Sequence, residues 1–166
     1  FWLWTHEDTT KDDEQLFNRY LKHGDTVIDC GAHLGTLTMT AACTVGQDGH
    51  VLACEAHPRT FSYLKQNIVD NNLKNVTCAH TSIGDETKMV HMTDEYVSDI
   101  NHIVETGIEI KMTKLDDLAK DIQHVDLLKL DVEGYELQAL QGAVELLTRT
   151  DTIYFESAEE SFMAIP

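Results

Sequence analysis

Proline is scarce in this sequence, and so are basic residues and long apolar stretches. With two prolines in 166 residues, little marks a boundary between domains. No apolar stretch approaches the roughly 18 residues of a membrane span. Twelve lysines and arginines stand against 29 acidic residues, a formal net charge of −17, which argues against a broad nucleic-acid-binding face. We therefore expect one soluble globular domain over residues 1–166, without a membrane span or a nucleic-acid partner.

Cysteine is also sparse, and its spacing is uninformative for metal binding. None of the four cysteines forms a CxxC pair. Three of them lie in or beside apolar strand-like runs, where a free thiol behaves as a small buried hydrophobe. Reduced thiols are favoured over a disulfide framework or a metal site, so a cytoplasmic location is predicted. The histidines near the predicted strand ends fit no standard zinc spacing, and no metal site is assigned.

Strand-like apolar runs alternate with helical spacings along the chain. Strands are predicted at residues 26–29, 51–55, 76–80, 125–131 and 152–156. Helices are predicted around 16–21, over 36–45, after Pro58, over 115–122 and over 137–147, the last with Leu137, Leu140, Val144 and Leu147 on one face. This order predicts an α/β, doubly wound, mostly parallel sheet with its core in residues 24–156. Residues 84–114 are predicted to form an insertion whose short strands are KMVHM and IEIKM.

Ligands of doubly wound sheets bind beyond the carboxyl ends of the strands, and a glycine turn follows the first strand in VIDCGAHLGT. Gly31 and Gly35 allow a sharp turn and a close approach of the backbone to a ligand. The pattern is DxGxxxG, whereas a dinucleotide fingerprint reads GxGxxG. Asp29 would repel a pyrophosphate but suits an amino group and a sulfonium, which indicates S-adenosylmethionine. The alternative is a plain strand-to-helix turn without a ligand.

An acidic residue, Glu55, ends the second strand in VLACEAHP. It follows the glycine turn by about 20 residues, where doubly wound folds hold the two hydroxyls of a ribose. The spacing alone does not separate an adenine dinucleotide from another adenosine ligand. Taken alone, Glu55 is equally consistent with a solvated strand end.

The stretch LLKLDVEGYELQAL, residues 127–140, combines a lysine in an apolar strand with three carboxylates. Lys129 is costly in a central strand unless its ammonium is paired. Asp131, Glu133 and Glu136 crowd a helix start. They predict a reaction centre, with the ordinary acidic bias of helix N-termini and a structural lysine–carboxylate pair as the alternative.

Together these segments resemble the FkbM-type family of S-adenosylmethionine-dependent methyltransferases, a branch of class I. The matching segments cover most of residues 24–156: GDTVIDCGAHLGTLT, CEAHPRTFSYLKQNI, SIGD, TKLDDLA and VDLLKLDVEGYELQALQGA. Two departures are His33, where the family commonly has Asn, and Ala56, where it often has Pro. The resemblance implies a Rossmann-like class I methyltransferase fold. That fold has an antiparallel hairpin after strand five, so we expect a domain truncated before it.

The resemblance also implies the roles of individual residues. It assigns cofactor binding to Asp29, Gly31, Ala32, His33, Gly35, Glu55, Ala56, Ser82 and Asp131. The glycine turn would hold the methionine portion, Glu55 the ribose, and the segment around Ser82 the adenine. Asp131 is the expected base or orienting group for the acceptor, with Lys129 balancing its charge and Glu133 facing the acceptor.

The expected function is methyl transfer from S-adenosylmethionine to a hydroxyl on a small molecule, sugar or lipid. One variant has Mg²⁺ held by Asp131 and Glu133. One alternative is a non-catalytic methyltransferase remnant that binds only a cofactor or a partner, for example through the edge of strand five. The other, less favoured, is an NAD-dependent oxidoreductase. The sequence selects neither the acceptor nor the oligomeric state.

Overall fold

The computed structural model describes residues 17, 19–95 and 101–155. The strands are β1 Thr26–Cys30, β2 His50–Glu55, β3 Val76–His80, β4 Ser82–Ile83, β5 Lys88–Met92, β6 Ile103–Val104, β7 Ile108–Thr113, β8 Val125–Leu130 and β9 Thr150–Phe155. The helices are α1 Thr36–Val45, α2 Pro58–Asp70, α3 Leu115–Leu118, α4 Glu136–Gln141 and α5 Val144–Leu147. Of the first predicted helix, Phe17, Arg19 and Tyr20 are helical. Leu16 and Glu156, predicted in a helix and a strand, lie outside the described residues.

Five parallel strands form the larger sheet in the order β3-β2-β1-β8-β9. This confirms the predicted doubly wound, parallel sheet. From β1 in the middle of the sheet, the chain moves outward to β2 and β3, and it later returns to place β8 on the other side of β1. The strand order therefore reverses between β1 and β8, and such a reversal opens a crevice at the carboxyl ends of the two strands.

Both faces of this sheet are buried, as the apolar strands require. Side chains alternate along a strand, so Ile28, Leu52 and Leu128 pack on the face that α3, α4 and α5 cover. Val27, Val51 and Leu127 pack on the opposite face against α1 and Phe17. Cys30 and Cys54 are neighbours across β1 and β2 on the first face, and both are free and buried.

A smaller sheet of four strands has the order β4-β7-β5-β6. The segments KMVHM and IEIKM pair here as β5 and β7, antiparallel, with Val90 opposite Ile110. β4 follows β3 after one residue and pairs in parallel with β7. The smaller sheet is therefore attached to the carboxyl end of β3, beside the predicted crevice.

The predicted apolar face of the last helix is wrong. Residues 136–147 form two short helices that meet at Gly142 and Ala143. The buried side chains are Ala139, Ala143 and Leu146, whereas Leu137 and Val144 are 45% and 63% exposed. A Cβ at Gly142 would lie 2.0 Å from the carbonyl oxygen of Gly84. The backbone therefore meets that of the residue after β4 at this point, and no side chain fits at Gly142.

Two other element bounds differ from the prediction by more than one residue. The short helix α3 ends at Leu118, and Ile122 lies in a turn closed by a bond from its N–H to the carbonyl of Ala119. β9 begins at Thr150, two residues earlier than predicted. Within the described ranges, no helix combines the length and the apolar character needed to cross a membrane.

Candidate active site

The glycine turn uses its backbone amides inside the protein. The N–H groups of Gly31 and Ala32 both donate to the carbonyl of Cys54, at 3.0 and 2.9 Å. The N–H of His33 donates to Glu55 Oε2 at 3.0 Å, and that of Gly35 donates to the carbonyl of Ala32 at 2.8 Å. A phosphate cradle needs amides that point at the ligand, and these four do not. These four amides are therefore not available to a pyrophosphate.

Close packing explains both glycines. Gly31 has φ +77°, and a Cβ there would lie 1.7 Å from the carbonyl oxygen of Asp131. Gly35 has φ +91°, and a Cβ there would lie 2.6 Å from Leu64 Cδ1 in α2. The sequence predicted an approach of this turn to a ligand, but the approach required of Gly31 is to the end of β8. Gly31 thereby brings the carboxyl ends of β1 and β8 into contact, and Gly35 lets the turn pack against α2.

His33 also has a left-handed backbone, with φ 51°. Among residues with a side chain, Asn, Asp and His adopt this conformation most readily. The exchange of Asn for His that the resemblance pointed out therefore keeps the shape of the turn. Asn67 fixes the turn from α2, because its Nδ2 donates to the carbonyl of Leu34 at 2.8 Å.

Lys129 lies between two carboxylates at the reversal of strand order. Its Nζ is 3.2 Å from Asp29 Oδ1 on the neighbouring strand and 3.3 Å from Asp131 Oδ2. It also donates to the carbonyl of Gly31 at 3.2 Å. Asp29 is fully buried, and its other oxygen, Oδ2, accepts a hydrogen bond from the Thr38 hydroxyl. The lysine–carboxylate pair that was left open as an alternative is present.

These charges leave the site negative. Burial alone would lower the pKa of Lys129, but the nearby charges of Asp29 and Asp131 outweigh it and raise the pKa above its ordinary value. The ammonium is therefore charged at neutral pH. One ammonium faces two carboxylates. Glu55 adds a third carboxylate, whose pKa is raised by the charge of Asp29 and lowered by that of Lys129. A ligand with a positive charge suits this balance.

Glu55 is turned inward at the end of β2 and is 8% exposed. Its Oε2 accepts from the N–H of His33, and its Oε1 accepts from the N–H of His57 at 2.8 Å. Burial raises its pKa from the ordinary value, and the two backbone hydrogen bonds oppose that rise. Glu55 is therefore not a solvated strand end. Each oxygen keeps a further lone pair that can accept a ligand hydroxyl.

The three carboxylates after β8 have separate environments. Asp131 is 38% exposed beside the crevice. Glu136 turns back along the chain, where its Oε1 accepts from the N–H groups of Val132 and Gly134 at 3.1 and 3.2 Å. It stabilises the turn that precedes α4. Glu133 sits in that turn with φ 52° and is exposed. Asp131 is thus both accessible and paired with the charge of Lys129.

The other predicted contacts lie close to this group. Ser82 is buried in β4, and its hydroxyl donates to the carbonyl of Lys111 at 3.4 Å. The carbonyl of Ala56 lies 3.1 Å from His80 Nε2. Ala32 is buried beneath the turn. The role of each in binding a ligand stays a prediction.

Sequence reasoning missed two residues that hold this site together. Thr38 is a buried polar residue in α1, and its hydroxyl binds Asp29. His57 is one of the histidines near the predicted strand ends that were assigned to no site. It precedes the first residue of α2, its side chain is buried, and its N–H binds Glu55. The His57-Pro58 pair, which is typical of a helix start, was the sequence signal that could have pointed to His57. A threonine inside a helix, such as Thr38, gives no comparable signal.

A group of possible metal ligands lies elsewhere. One ligand atom each from His124, Asp126 and Asp151 falls within 4.8 Å of the others. These residues lie at or next to the amino ends of β8 and β9, at the opposite end of the sheet from the crevice. They are not part of the candidate active site.

Solved structures share this architecture. A precorrin-6y C5,15-methyltransferase from Geobacter metallireducens GS-15 matches 90% of this chain and 65% of its own, at 12% identity and a TM-score of 0.58. A SAM-dependent methyltransferase from Aquifex aeolicus matches 89% of this chain and 67% of its own, at 18% identity and a TM-score of 0.54. The fold is thus the Rossmann-like fold of class I methyltransferases.

A match to a family model also identifies the family of this chain. The methyltransferase FkbM domain model matches residues 29–164, and the chain belongs to this family, which confirms the resemblance. A FkbM methyltransferase from Methylobacillus flagellatus KT has 22% identity and a TM-score of 0.56 over 75% of this chain. An arsenite methyltransferase from Halobacterium salinarum is 33% identical over 69 residues, which are 39% of this chain. The matches span 30% and 18% of the lengths of these two proteins.

The first prediction concerns Gly31. We expect Gly31→Ala to lower the free energy of unfolding by about 3 kcal/mol or more, because a Cβ collides with the Asp131 backbone and φ is positive. Gly24→Ala is the matched control, since Gly24 has φ +93° but open space around it. It should cost about 1 kcal/mol from backbone strain alone. Urea unfolding of both variants measures the difference, and equal losses would contradict the contact.

The second prediction concerns the pH dependence that Glu55 causes. Its raised pKa means that the folded chain binds this proton more tightly than the unfolded chain. The contribution of Glu55 to the free energy of unfolding therefore falls as pH rises from the ordinary pKa through the raised one. Glu55→Gln removes this titration. Relative to the wild type, the variant should become more stable as pH rises from the ordinary glutamate pKa through the raised pKa of Glu55. A stability difference that is constant with pH would contradict the burial of an ionised Glu55.

Proposed function

We propose that this chain binds S-adenosylmethionine at the carboxyl ends of β1, β2 and β8 and transfers its methyl group to a hydroxyl acceptor. One observation carries the proposal: Lys129 pairs with Asp29 and Asp131 at the strand ends, Glu55 is buried at the end of the neighbouring strand, and four amides of the glycine turn are already used. A cation with a ribose fits such a site, and a pyrophosphate does not. The family and the fold support the same activity.

Asp29 fits the cofactor indirectly. Its Oδ1 is buried and accepts no hydrogen bond from the described residues, although Lys129 Nζ lies 3.2 Å away. Through Lys129 it fixes the carbonyl of Gly31 and the carboxylate of Asp131, two acceptors for an ammonium group. We propose that these acceptors, with Ala32, His33 and Gly35 as the frame of the turn, hold the methionine portion.

Residues of the neighbouring strands would bind the nucleoside portion of the cofactor. We propose that Glu55 accepts hydrogen bonds from the ribose hydroxyls, with Ala56 beside it. The buried, inward orientation of Glu55 supports this role. Ser82 begins β4, just past the end of β3, where the adenine would extend. The ribose assignment rests on Glu55 alone, since Ala56 and Ser82 offer no free charge.

The cofactor, when bound, supplies a methyl group on a sulfonium whose leaving group is neutral. The protein must then hold the acceptor oxygen in line with that methyl group. We propose that Asp131 orients the acceptor hydroxyl and takes its proton, because its carboxylate is accessible at the crevice. Lys129 is buried and balances the charge of Asp131, and Glu133 faces the acceptor. Hydroxyls of small molecules, sugars or lipids are the proposed acceptors.

The same proposal covers the rest of the chain. We propose that residues 1–166 belong to one methyltransferase domain whose core is residues 24–156, with the smaller sheet as an insertion between β3 and β8. A reducing, cytoplasmic environment is supported by Cys30 and Cys54, which are adjacent and remain free thiols.

A calorimetric titration with S-adenosylhomocysteine, compared with NADH, tests the cofactor. We expect saturable binding of S-adenosylhomocysteine and none of NADH at the same concentration, because the carboxylates at the strand ends repel a pyrophosphate. Selective NADH binding would instead favour an oxidoreductase. Binding of neither, with a light-scattering mass well above 18.7 kDa, would favour a non-catalytic interaction module.

The role of Asp131 is tested by Asp131→Asn. Transfer of labelled methyl groups to a panel of sugar, lipid and small-molecule alcohols should fall by about 10²-fold, the usual contribution of a general base. The affinity for S-adenosylhomocysteine should stay within a few-fold. Asp151→Asn, at the far end of the sheet, is the control and should change neither. Unchanged transfer in Asp131→Asn would remove this carboxylate from the mechanism.

A further inference from the structure

The smaller sheet touches the start of α2 through one acidic side chain. Asp94 follows β5, and its Oδ1 is 3.1 Å from His57 Nε2. Arg59 Nη2 lies 3.4 Å from the same oxygen and donates to the carbonyl of Glu95 at 2.7 Å. The segment after β5 is therefore bound to the loop that follows β2.

The partner of Asp94 is a buried histidine. The His57 side chain is 4% exposed, although it is polar. Its Nδ1 is buried and has no hydrogen-bond partner in the part of the chain that the structure describes. Buried polar atoms are rarely left in this state. An apolar side chain would fill the same space without burying an unpaired polar atom. The bond to Asp94 is what the histidine provides and an apolar residue could not.

His57 also holds the end of β2. Its backbone N–H donates to Glu55 Oε1 at 2.8 Å, which is one of the two amide bonds that hold this carboxylate. Asp94 therefore acts on His57, and His57 acts on Glu55. If His57 shifts, the Glu55 carboxylate keeps only the bond from His33, and burial then favours a different orientation.

We propose that His57 and Asp94 are positioning residues for Glu55, so that nucleoside affinity depends on an aspartate in the smaller sheet. This inference rests on the proposed function, because Glu55 is there the ribose ligand. Asp94 need not touch the ligand. Its effect is to keep the His57 amide where Glu55 needs it.

Hydrogen exchange gives a first test that needs no cofactor. By nuclear magnetic resonance, the His57 amide should exchange about tenfold faster in Asp94→Ala than in the wild type, because its bond to Glu55 loosens. The Met39 amide, bonded to the carbonyl of Gly35, should exchange at an unchanged rate. Equal His57 rates in the two proteins would overturn the proposal.

Binding of S-adenosylhomocysteine gives the second test. Asp94→Ala should weaken it about tenfold, and Asp94→Asn, which keeps an oxygen acceptor, should restore most of that loss. The matched control is Asp48→Ala, since Asp48 forms an exposed pair with His23 at 3.8 Å away from this site. It should leave the affinity unchanged. The double variant His57→Gln/Asp94→Ala should bind S-adenosylhomocysteine no more weakly than whichever of the two single variants binds it more weakly. The reason is that both substitutions act through one contact.

The outcomes separate two kinds of failure. If the wild type does not bind S-adenosylhomocysteine, the proposed function fails and this inference with it. If the wild type binds but Asp94→Ala loses only stability and keeps full affinity, Asp94 has a structural role and the positioning role is overturned. Asp94 is a surface residue, so its variants are expected to fold even where His57 variants do not.

Discussion

The arrangement of this crevice depends on one buried ion pair, between Lys129 on β8 and Asp29 on β1. The two residues face each other in the register of adjacent strands, at the point where strand order reverses. Breaking such a pair by removing one partner costs about 3–5 kcal/mol, because a buried charge is left uncompensated. The same ammonium reaches Asp131 and the carbonyl of Gly31. It therefore fixes the turn after β1 and the turn after β8 relative to each other.

Much of this could be predicted from the sequence, where the signal was local. The strands of the larger sheet are apolar runs, and their order with the helices predicted a parallel sheet. Lys129 stood out because a lysine in an apolar strand requires a partner, although Asp29 was not identified as that partner. The bonds from Thr38 to Asp29 and from Asp94 to His57 join distant segments and leave no pattern in the chain. The exposed face of α4 and α5 was missed because apolar periodicity does not reveal a backbone contact such as that between Gly142 and Gly84.

The site places carboxyl groups where burial disfavours the charged form. Asp29 is fully buried, and Glu55 nearly so. An apolar core at these positions would be more stable, since buried carboxylates need specific partners to be tolerated. The protein provides these partners from the backbone of the glycine turn and from Thr38, Lys129 and His57. The precision of the turn is therefore a requirement of the charges as well as of any ligand.

Cys30 is the last residue of β1 and Cys54 the next to last of β2, and the two are neighbours across these strands. The hydrogen bond between them and their burial raise the pKa of Cys54 well above its ordinary value. A protonated thiol is a poor nucleophile, since the thiolate is the reactive form. A protein that handles an electrophilic methyl donor risks alkylating its own sulfur atoms. The raised pKa keeps the Cys54 sulfur protonated, which makes that sulfur a poor target for an electrophilic methyl donor.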